Sequence, residues 1–536
     1  MHANSWQLQP NPVALAYKDG TMAEQVVTTQ SSAAPELVKG LGLFDSTMIV
    51  VGTMIGSGIY IVSADISNQV QSPGLLIAVW LASGVMTLIG ALSYGELAAA
   101  MPHAGGQYVF LRESFGQLWG FLYGWTMLLV VQTATIAAVA IAFAKFTGVF
   151  APSWFSPTAW ILKFGTFGPW KFAFGTLGPY ELGLNRQNLL AIISIVVLTW
   201  INLRGLRLGK IVQNAFTSVK VVTLAALVVI GVIFSRADAI AANFHGFWRN
   251  AGLSPNHPYP PGVGTWEIST VTVVGVAMVG ALFSSDAWYD ITFTASEVKR
   301  PGRNLPLALF LGTLIVTTLY TLANFAYLRI LPMAGDPNGT SIVSRGIQYA
   351  ADGRVATAAL QLIFGPVGAI IMAVAILISC FGCNNGLILA GSRIYYAMAK
   401  DKMLFSSIGT VNRHHVPGVA LILQCVWASV LCLSGTYNQL LDFLIFAELI
   451  FYILTLVGIF VLRRTRPNME RPYRAFGYPV LPAIYIVMAV FLEIQLLRYK
   501  PQNTWPGLII VLIGLPVYFL WRGFSRNRAG RAPASD

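Results

Sequence analysis

The feature that most constrains this chain is a series of twelve apolar runs, each about long enough to cross a bilayer and each closed by a short polar stretch. They cover approximately residues 43–68, 75–101, 119–146, 188–203, 213–235, 269–297, 305–330, 364–399, 417–435, 438–462, 477–497 and 504–521. A helix rising about 1.5 Å per residue needs about 20 residues to cross the hydrocarbon, so a dozen spans consume about 240 residues. The chain has 536 residues, of which 56% are hydrophobic and only 10% charged. Soluble domains carry about 25% charged residues. A string of soluble domains is therefore excluded, and the expected fold is an all-α membrane protein of twelve transmembrane helices.

Lys and Arg number 34 against 21 Asp and Glu, a formal charge of +13. In a soluble chain that balance would raise nucleic-acid binding, so the positions of the charges decide. Twenty-two of the 34 fall in the N-terminal tail, alternate loops and C-terminal tail, from Lys18 and Lys39, through Arg393, Lys400, Lys402 and Arg413 counted in one loop, to Arg522, Arg526, Arg528 and Arg531. Eleven fall on the opposite side, and one, Lys220, lies inside the fifth run. Lys and Arg accumulate on the cytoplasmic face of membrane proteins, which predicts that both termini are cytoplasmic. Topology and anionic lipid head groups account for the positive balance, and no nucleic-acid partner is expected.

The four cysteines, Cys380, Cys383, Cys425 and Cys432, all lie in apolar runs, which suggests neither a disulfide framework nor a metal site. The first 36 residues are polar, with Pro10 and Pro12 and no basic-then-apolar cleavable pattern, as in a disordered tail. The stretches near 151–187, 236–268 and 331–356 are external loops rich in Gly, Pro and aromatics. No Walker pattern, nucleotide fingerprint or metal-ligand run is present, so neither an enzymatic step nor a cofactor is expected.

Two of the runs are interrupted. The first contains Gly56-Ser57-Gly58 between Ile55 and Ile59. Each glycine costs a helix interior about 1 kcal/mol relative to Ala, and unwound backbone at membrane depth survives only beside protein or a watered cavity. The sixth carries Ser284-Ser285-Asp286-Ala287-Trp288 after Phe283. Glycines alone would serve close helix packing. Two interruptions five spans apart instead match an inverted repeat of five plus five helices, with discontinuous helices 1 and 6 and a ligand site at the midplane. Free N–H groups at a half-helix start attract an anion and free carbonyls at a half-helix end attract a cation, so the pair suits a zwitterion. An α-amino acid would place its carboxylate on Gly56, Ser57 and Gly58 and its ammonium on carbonyls of Ile55, Phe283 and Ser284, with Phe283 as a flat lid.

At these residues the chain resembles the amino acid/polyamine/organocation superfamily, in particular its L-type amino-acid transporter branch and the bacterial serine/threonine exchangers. The likeness runs over about residues 40–500. It includes Val51 to Tyr60, Tyr94-Gly95-Glu96-Leu97 with Pro102 and Gly105-Gly106, Asp286-Ala287-Trp288, and Pro301-Gly302-Arg303-Asn304-Leu305-Pro306. Ser379-Cys380-Phe381-Gly382 with Asn385-Gly386, and Glu470-Arg471-Pro472-Tyr473, extend it. The resemblance implies a permease moving amino acids by alternating access, commonly as an exchanger, in the plasma (inner) membrane. Its implied substrate positions are Ile55, Gly56, Ser57, Gly58, Phe283, Ser284 and Asp286. The implied division is a tail over 1–40, a transport core of spans 1–10 over 41–462, spans 11–12 over 463–521 and a basic tail over 522–536. Eukaryotic members of the branch attach to a glycoprotein through an external cysteine, and 151–187 has none, so no covalent heavy-chain partner is expected.

A lysine at helix centre must face a cavity, pair or become neutral, since burying its charge costs about 2.5–3.5 kcal/mol on insertion scales. The resemblance places Lys220 where coupled relatives hold sodium, bracing the first helix against the eighth, which implies sodium-independent transport. Snorkelling to an interface and proton carriage stay open. Asp286 would meet water, backbone amides or substrate. A direct role would favour cationic amino acids or polyamines, and a structural role neutral ones. Glu96 reads as an anchor to loop cations, Glu448 as accepting from a neighbouring helix, and Cys380 with Cys383 as packing. The expected function is exchange of neutral amino acids. The alternatives are proton-coupled symport, transport of cationic substrates, and a non-transporting amino-acid sensor.

Overall fold

The computed structural model describes residues 36–529 apart from 152–153, 156–157, 173–174, 178–179, 250–269, 434–436 and 500. Most of the expected N-terminal tail and the end of the basic C-terminal tail therefore lie outside the described residues, as does much of the loop near 236–268.

The apolar runs are helices. They comprise α1 (Leu43–Met54) with α2 (Gly58–Val70), α3 (Pro73–Ala100), a short α4 (Gln107–Phe115) and α5 (Gln117–Thr147). There follow α6 (Arg186–Leu203), α7 (Leu206–Ile233), a short α8 (Ala237–Phe244), α9 (Thr270–Ser284) and α10 (Pro301–Ile330). The chain ends with α11 (Val355–Lys400), α12 (Gly418–Cys432), α13 (Tyr437–Thr465), α14 (Val480–Tyr499) and α15 (Pro501–Ala529). Among the described residues nine helices are long and apolar enough to cross a membrane, or ten when α1 and α2, bent by 43°, count as one. The chain is a multi-pass membrane protein. The apolar helices α9 and α12 have 15 residues each, about 22 Å of rise.

Burial runs opposite to that of a soluble helix. On α7 the buried face is Gly209, Gln213, Thr217, Lys220, Leu224, Leu227 and Gly231, spaced three and four apart. Val219, Val222, Val229 and Val232 are exposed. Polar groups thus turn inward, where other protein satisfies them, and aliphatic ones turn to lipid. Gly52 on α1 completes this packing, because a Cβ there would lie 2.0 Å from Gln213 Nε2. In α11 the left-handed Gly365 (φ 63°) followed by Pro366 kinks the helix.

One face of the bundle carries both described ends of the chain. His415 Nδ1 contacts the Glu36 carbonyl at 2.8 Å, and Trp521 Nε1 donates to the Lys402 carbonyl at 2.9 Å. Ion pairs between distant elements gather on it. They are Asp45 with Lys210 at 3.0 Å, Glu96 with Arg463 at 2.6 Å, Glu113 with Arg466 at 2.8 Å, and Asp401 with Arg112. Burial opposes ionisation of Glu113, but hydrogen bonds from Arg466 and Arg112 outweigh it and hold the carboxyl below its ordinary range. Glu96 also accepts from the Ala475 N–H at 2.7 Å, as an anchor should. Arg393 corrects the loop census. It is a helical residue of α11, 1% exposed, paired with Glu297 at 2.9 Å, and an insulated bidentate pair of this kind joins the sixth and eighth spans.

The opposite face departs from the all-helical expectation. The segment expected as loop near 151–187 contains β1 (Trp160–Phe167), β2 (Trp170–Phe172), β3 (Gly175–Leu177) and β4 (Tyr180–Asn185), with β1 antiparallel to β4 and β2 to β3. Pairing satisfies the backbone of a stretch too long for a tight turn, and Lys163 meets Glu181 across the strands at 2.6 Å.

Candidate functional site

The break in the first span begins where α1 runs out of helical donors. A helix end leaves its last carbonyls unpaired, and here side chains from three other spans take them. Lys220 Nζ donates to the carbonyls of Gly52 (2.6 Å) and Ile55 (2.8 Å). Cys383 Sγ contacts the Thr53 carbonyl at 3.0 Å, and Tyr320 Oη the Met54 carbonyl at 3.0 Å. Ser379 Oγ lies 3.2 Å from the Ile55 carbonyl and 2.9 Å from that of Gly56. Lys220 is 1% exposed, so it does not snorkel. Its cation sits at the negative end of the α1 dipole, and its stem lies along α11, where a Cβ on Gly382 would be 3.1 Å from Lys220 Cε. The chain resumes as α2 at Gly58, where no side chain caps the helix start and the Tyr60 N–H donates to the Ser57 carbonyl at 3.1 Å.

The second break follows α9. Ser285 N–H reaches the carbonyls of Ala281 and Leu282, and Asp286 N–H that of Phe283 at 3.2 Å. Ala287 then turns through φ 61°, a left-handed conformation that costs a non-glycine residue about 1–2 kcal/mol. The chain continues as the 3₁₀ segment Asp290–Glu297. The strained Ala287 is pinned, because its carbonyl accepts from Thr53 Oγ1 at 2.9 Å.

The two breaks touch. Tyr320 Oη, already at Met54, is 3.1 Å from the Ser284 carbonyl. A Cβ on Gly58 would lie 2.3 Å from Ser284 Oγ and 2.7 Å from Ser284 Cβ. Glycine is thus required for α2 to start against α9. Beside the second break lies a cavity of about 10 Å³, lined by Asp286, Trp288, Glu448, Tyr452 and Tyr485 among others, enough for about one water.

Asp286 is met by a side chain from the tenth span. Tyr452 Oη is 2.6 Å from Asp286 Oδ1 and 3.0 Å from Glu448 Oε1, and Glu448 also accepts from Tyr289 Oη. Trp288 stacks edge-on with Tyr94, centroids 4.7 Å apart. Among the described residues no group of three or more His, Cys, Asp or Glu side chains could hold a metal ion.

The family described as amino acid permease matches residues 41–519. The chain belongs to that family. Among its relatives, the large neutral amino acids transporter small subunit 2 of Mus musculus is 29% identical over 96% of this chain and 86% of its own. The b(0,+)-type amino acid transporter 1 of Homo sapiens is 27% identical over 93% and 91%. The serine/threonine exchanger SteT of Bacillus subtilis is 28% identical over 92% and 98%.

In this permease Ile55, Gly56, Ser57, Gly58, Phe283, Ser284 and Asp286 all fall at the two breaks, and Lys220 joins the first. The carbonyls offered to an ammonium are partly spent. That of Ile55 already accepts from Lys220 and Ser379, that of Phe283 from the Asp286 N–H, and that of Ser284 from Tyr320. Asp286 meets the Ala287 backbone amide, one of the expected partners, and in addition the Tyr452 hydroxyl, which was not expected. Glu448 does accept from neighbouring Tyr289. Thr53, Tyr320, Ser379 and Tyr452 escaped sequence reasoning, since hydroxyls in apolar runs usually bond their own helix, as Thr53 also does to Ile49 at 2.9 Å.

Proposed function

We propose that this permease exchanges neutral α-amino acids across the plasma (inner) membrane by alternating access, without sodium. The arrangement is twelve spans, with helices 1–10 of the 41–462 core as two inverted five-helix repeats and both termini cytoplasmic. The observation that carries the reading is the opposite dressing of the two sides of the first break. Side chains take the α1 carbonyls, leaving the start of α2 as the anion-binding half of the site. The substrate carboxylate then sits on the amides of Gly56, Ser57 and Gly58. The Ile55 carbonyl already takes the Lys220 ammonium, with the Ser379 hydroxyl 3.2 Å away, so the substrate ammonium falls to Phe283 and Ser284. Because Gly58 packs on Ser284, substrate enters only when the breaks separate, and their contact is the closed step of the cycle. Phe283, half-buried at the end of α9, covers the bound molecule.

Lys220 supplies the fixed positive charge that makes sodium dispensable. A relative named for large neutral amino acids and another named as a serine/threonine exchanger support neutral cargo and exchange. No cysteine occurs in 151–187, so the chain works without a covalently attached subunit. A second reading, cationic cargo, is favoured by one observation, the carboxylates of Asp286 and Glu448 beside the break.

The test is a competition panel of neutral, acidic and cationic amino acids in preloaded proteoliposomes of the purified chain. The expected result is influx that, at equal pH on the two sides, is accelerated by internal amino acid, is blocked by neutral competitors and is unchanged when choline replaces sodium. Inhibition by lysine or arginine alone would install the second reading, and influx indifferent to internal amino acid would remove exchange. Binding without any flux would make the chain a sensor.

A further inference from the structure

The carboxylates of Asp286 and Glu448 carry more than the substrate reading uses. They come from different spans, the sixth at its break and the tenth within α13, and both are buried. They converge on one donor, the Tyr452 hydroxyl, 2.6 Å from Asp286 Oδ1 and 3.0 Å from Glu448 Oε1. A hydroxyl has one hydrogen. It can donate to one anion, and its contact with the second is attractive only when that carboxyl carries a proton of its own. Tyr289 adds a donor to Glu448 Oε1, Glu448 Oε2 has no donor of good geometry, and the Asp286 and Glu448 carboxyls also lie within hydrogen-bonding reach of each other.

The groups facing the pair are Tyr94 from α3, Tyr123 from α5, Tyr289 and Asp290 from the sixth span, Cys383 from α11 and Tyr485 from α14. Both Asp290 oxygens lack a hydrogen bond of good geometry, with the Gln132 side chain nearby. Among the described residues no lysine, arginine or histidine pairs with Asp286, Glu448 or Asp290. Two adjoining anions with no counter-cation in a low-dielectric interior are strongly disfavoured. A metal cation suits the place badly, since the tyrosine hydroxyls point hydrogens at the carboxylates and the cavity holds about one water.

We propose that Asp286 and Glu448 form a single-proton site beside the sixth-span break, and that this proton crosses with a neutral substrate. Binding adds one H⁺ to the pair, taking it from two negative charges to one, and release to the other side restores the second charge. Asp286 lies in the break itself, so separation of the breaks disturbs its contact with Tyr452 and thereby ties proton affinity to the transport step. This rests on the amino-acid transport reading and changes its energetics, because net uptake then needs no internal amino acid.

The test uses the full-length chain in sealed vesicles with a trapped pH dye, and the strongest neutral competitor from the panel as substrate. At one proton per amino acid, each unit of pH gradient, acid outside, accumulates the substrate about tenfold in vesicles with no internal amino acid, and the lumen acidifies in step. In Glu448→Gln the amide cannot exchange its proton, so both signals vanish relative to counterflow at equal pH measured in the same vesicles. Tyr452→Phe removes the shared donor but keeps the ring. It is expected to shift the pH profile of counterflow, which covers the case in which Glu448→Gln does not fold.

Wild-type counterflow without acidification or a gradient response overturns the proton site and leaves amino-acid exchange standing. Absence of all wild-type flux fails the transport reading, and the proposal with it. Coupling that survives Glu448→Gln, or that is lost only in Asp290→Asn, overturns the assignment to this pair. Accumulation driven by sodium instead of pH replaces the proton with a metal cation.

Discussion

A buried lysine and a buried pair of carboxylates flank the breaks, and the protein treats them in opposite ways. Lys220 faces the end of α1, where two carbonyls and a helix dipole all favour its charge, within 2.8 Å. Asp286 and Glu448 face each other across a single hydroxyl with no cation. A charge supplied with several fixed dipoles belongs to the architecture and has no reason to change through a cycle. A pair that over-subscribes its only common donor changes easily. The contrast is the ground for proposing that the lysine braces the first helix as a fixed cation and that the carboxylates are the groups that adjust.

Removing the lysine should give the largest effect. Lys220→Met keeps an unbranched apolar stem and deletes two charge-assisted hydrogen bonds worth about 1.5–3 kcal/mol each. Losing about 3 kcal/mol or more of support for the broken arrangement corresponds to roughly a hundredfold lower counterflow rate or worse. A Lys220→Met protein that exchanges at close to the wild-type rate would show that the α1 carbonyls do not need the cation, and the contrast with the carboxylate pair would dissolve.

The next test concerns the contact through which both groups sense the cycle. Gly58→Ala pushes a methyl to 2.3 Å from Ser284 Oγ, overpacking that costs about 1–3 kcal/mol and holds the breaks apart. Counterflow should fall about five- to hundredfold. Gly56→Ala, two residues earlier, brings a methyl only to 3.4 Å from Cys383 Sγ, an ordinary contact, and should cost less than about fivefold. Equal loss in both would mean that backbone freedom, rather than the touch between α2 and α9, is what the glycines provide.

How much of this was legible beforehand follows from what each feature announces in sequence. Gly56-Ser57-Gly58 stands out because unfavoured residues interrupt an apolar run, and Lys220 because a charge there is expensive. Of the twelve expected runs, the described residues give nine helices long and apolar enough to cross a membrane, or ten with α1 and α2 as one, and α9 proves shorter than its run because the chain leaves helical geometry after Ser284. Arg393 was misread as a loop cation because its partner Glu297 lies 96 residues away, and sequence distance hides pairing. The strands of 160–185 lack the strict alternation that marks a half-buried sheet, most of β1 being exposed. Tyr452, Tyr320 and Ser379 carried no signal, because a hydroxyl in a membrane helix is inexpensive until one knows which carbonyl or carboxylate it faces.

The smallest effect sharpens the account of Lys220 by separating charge from hydrogen bonding. Ser379 Oγ shares the Ile55 carbonyl with Lys220 and reaches Gly56 as well, so Ser379→Ala removes a neutral donor from the same oxygens and leaves the cation in place. A neutral hydrogen bond is worth about 0.5–1.5 kcal/mol net, which predicts a loss of about two- to tenfold in counterflow rate, well short of Lys220→Met. Sodium should remain without effect in Ser379→Ala, because the positive charge at the end of α1 is untouched. If the serine variant instead acquired a sodium requirement, the site behind the first break would be set by its hydroxyl ligands, and the ammonium would be only one of several groups able to fill it.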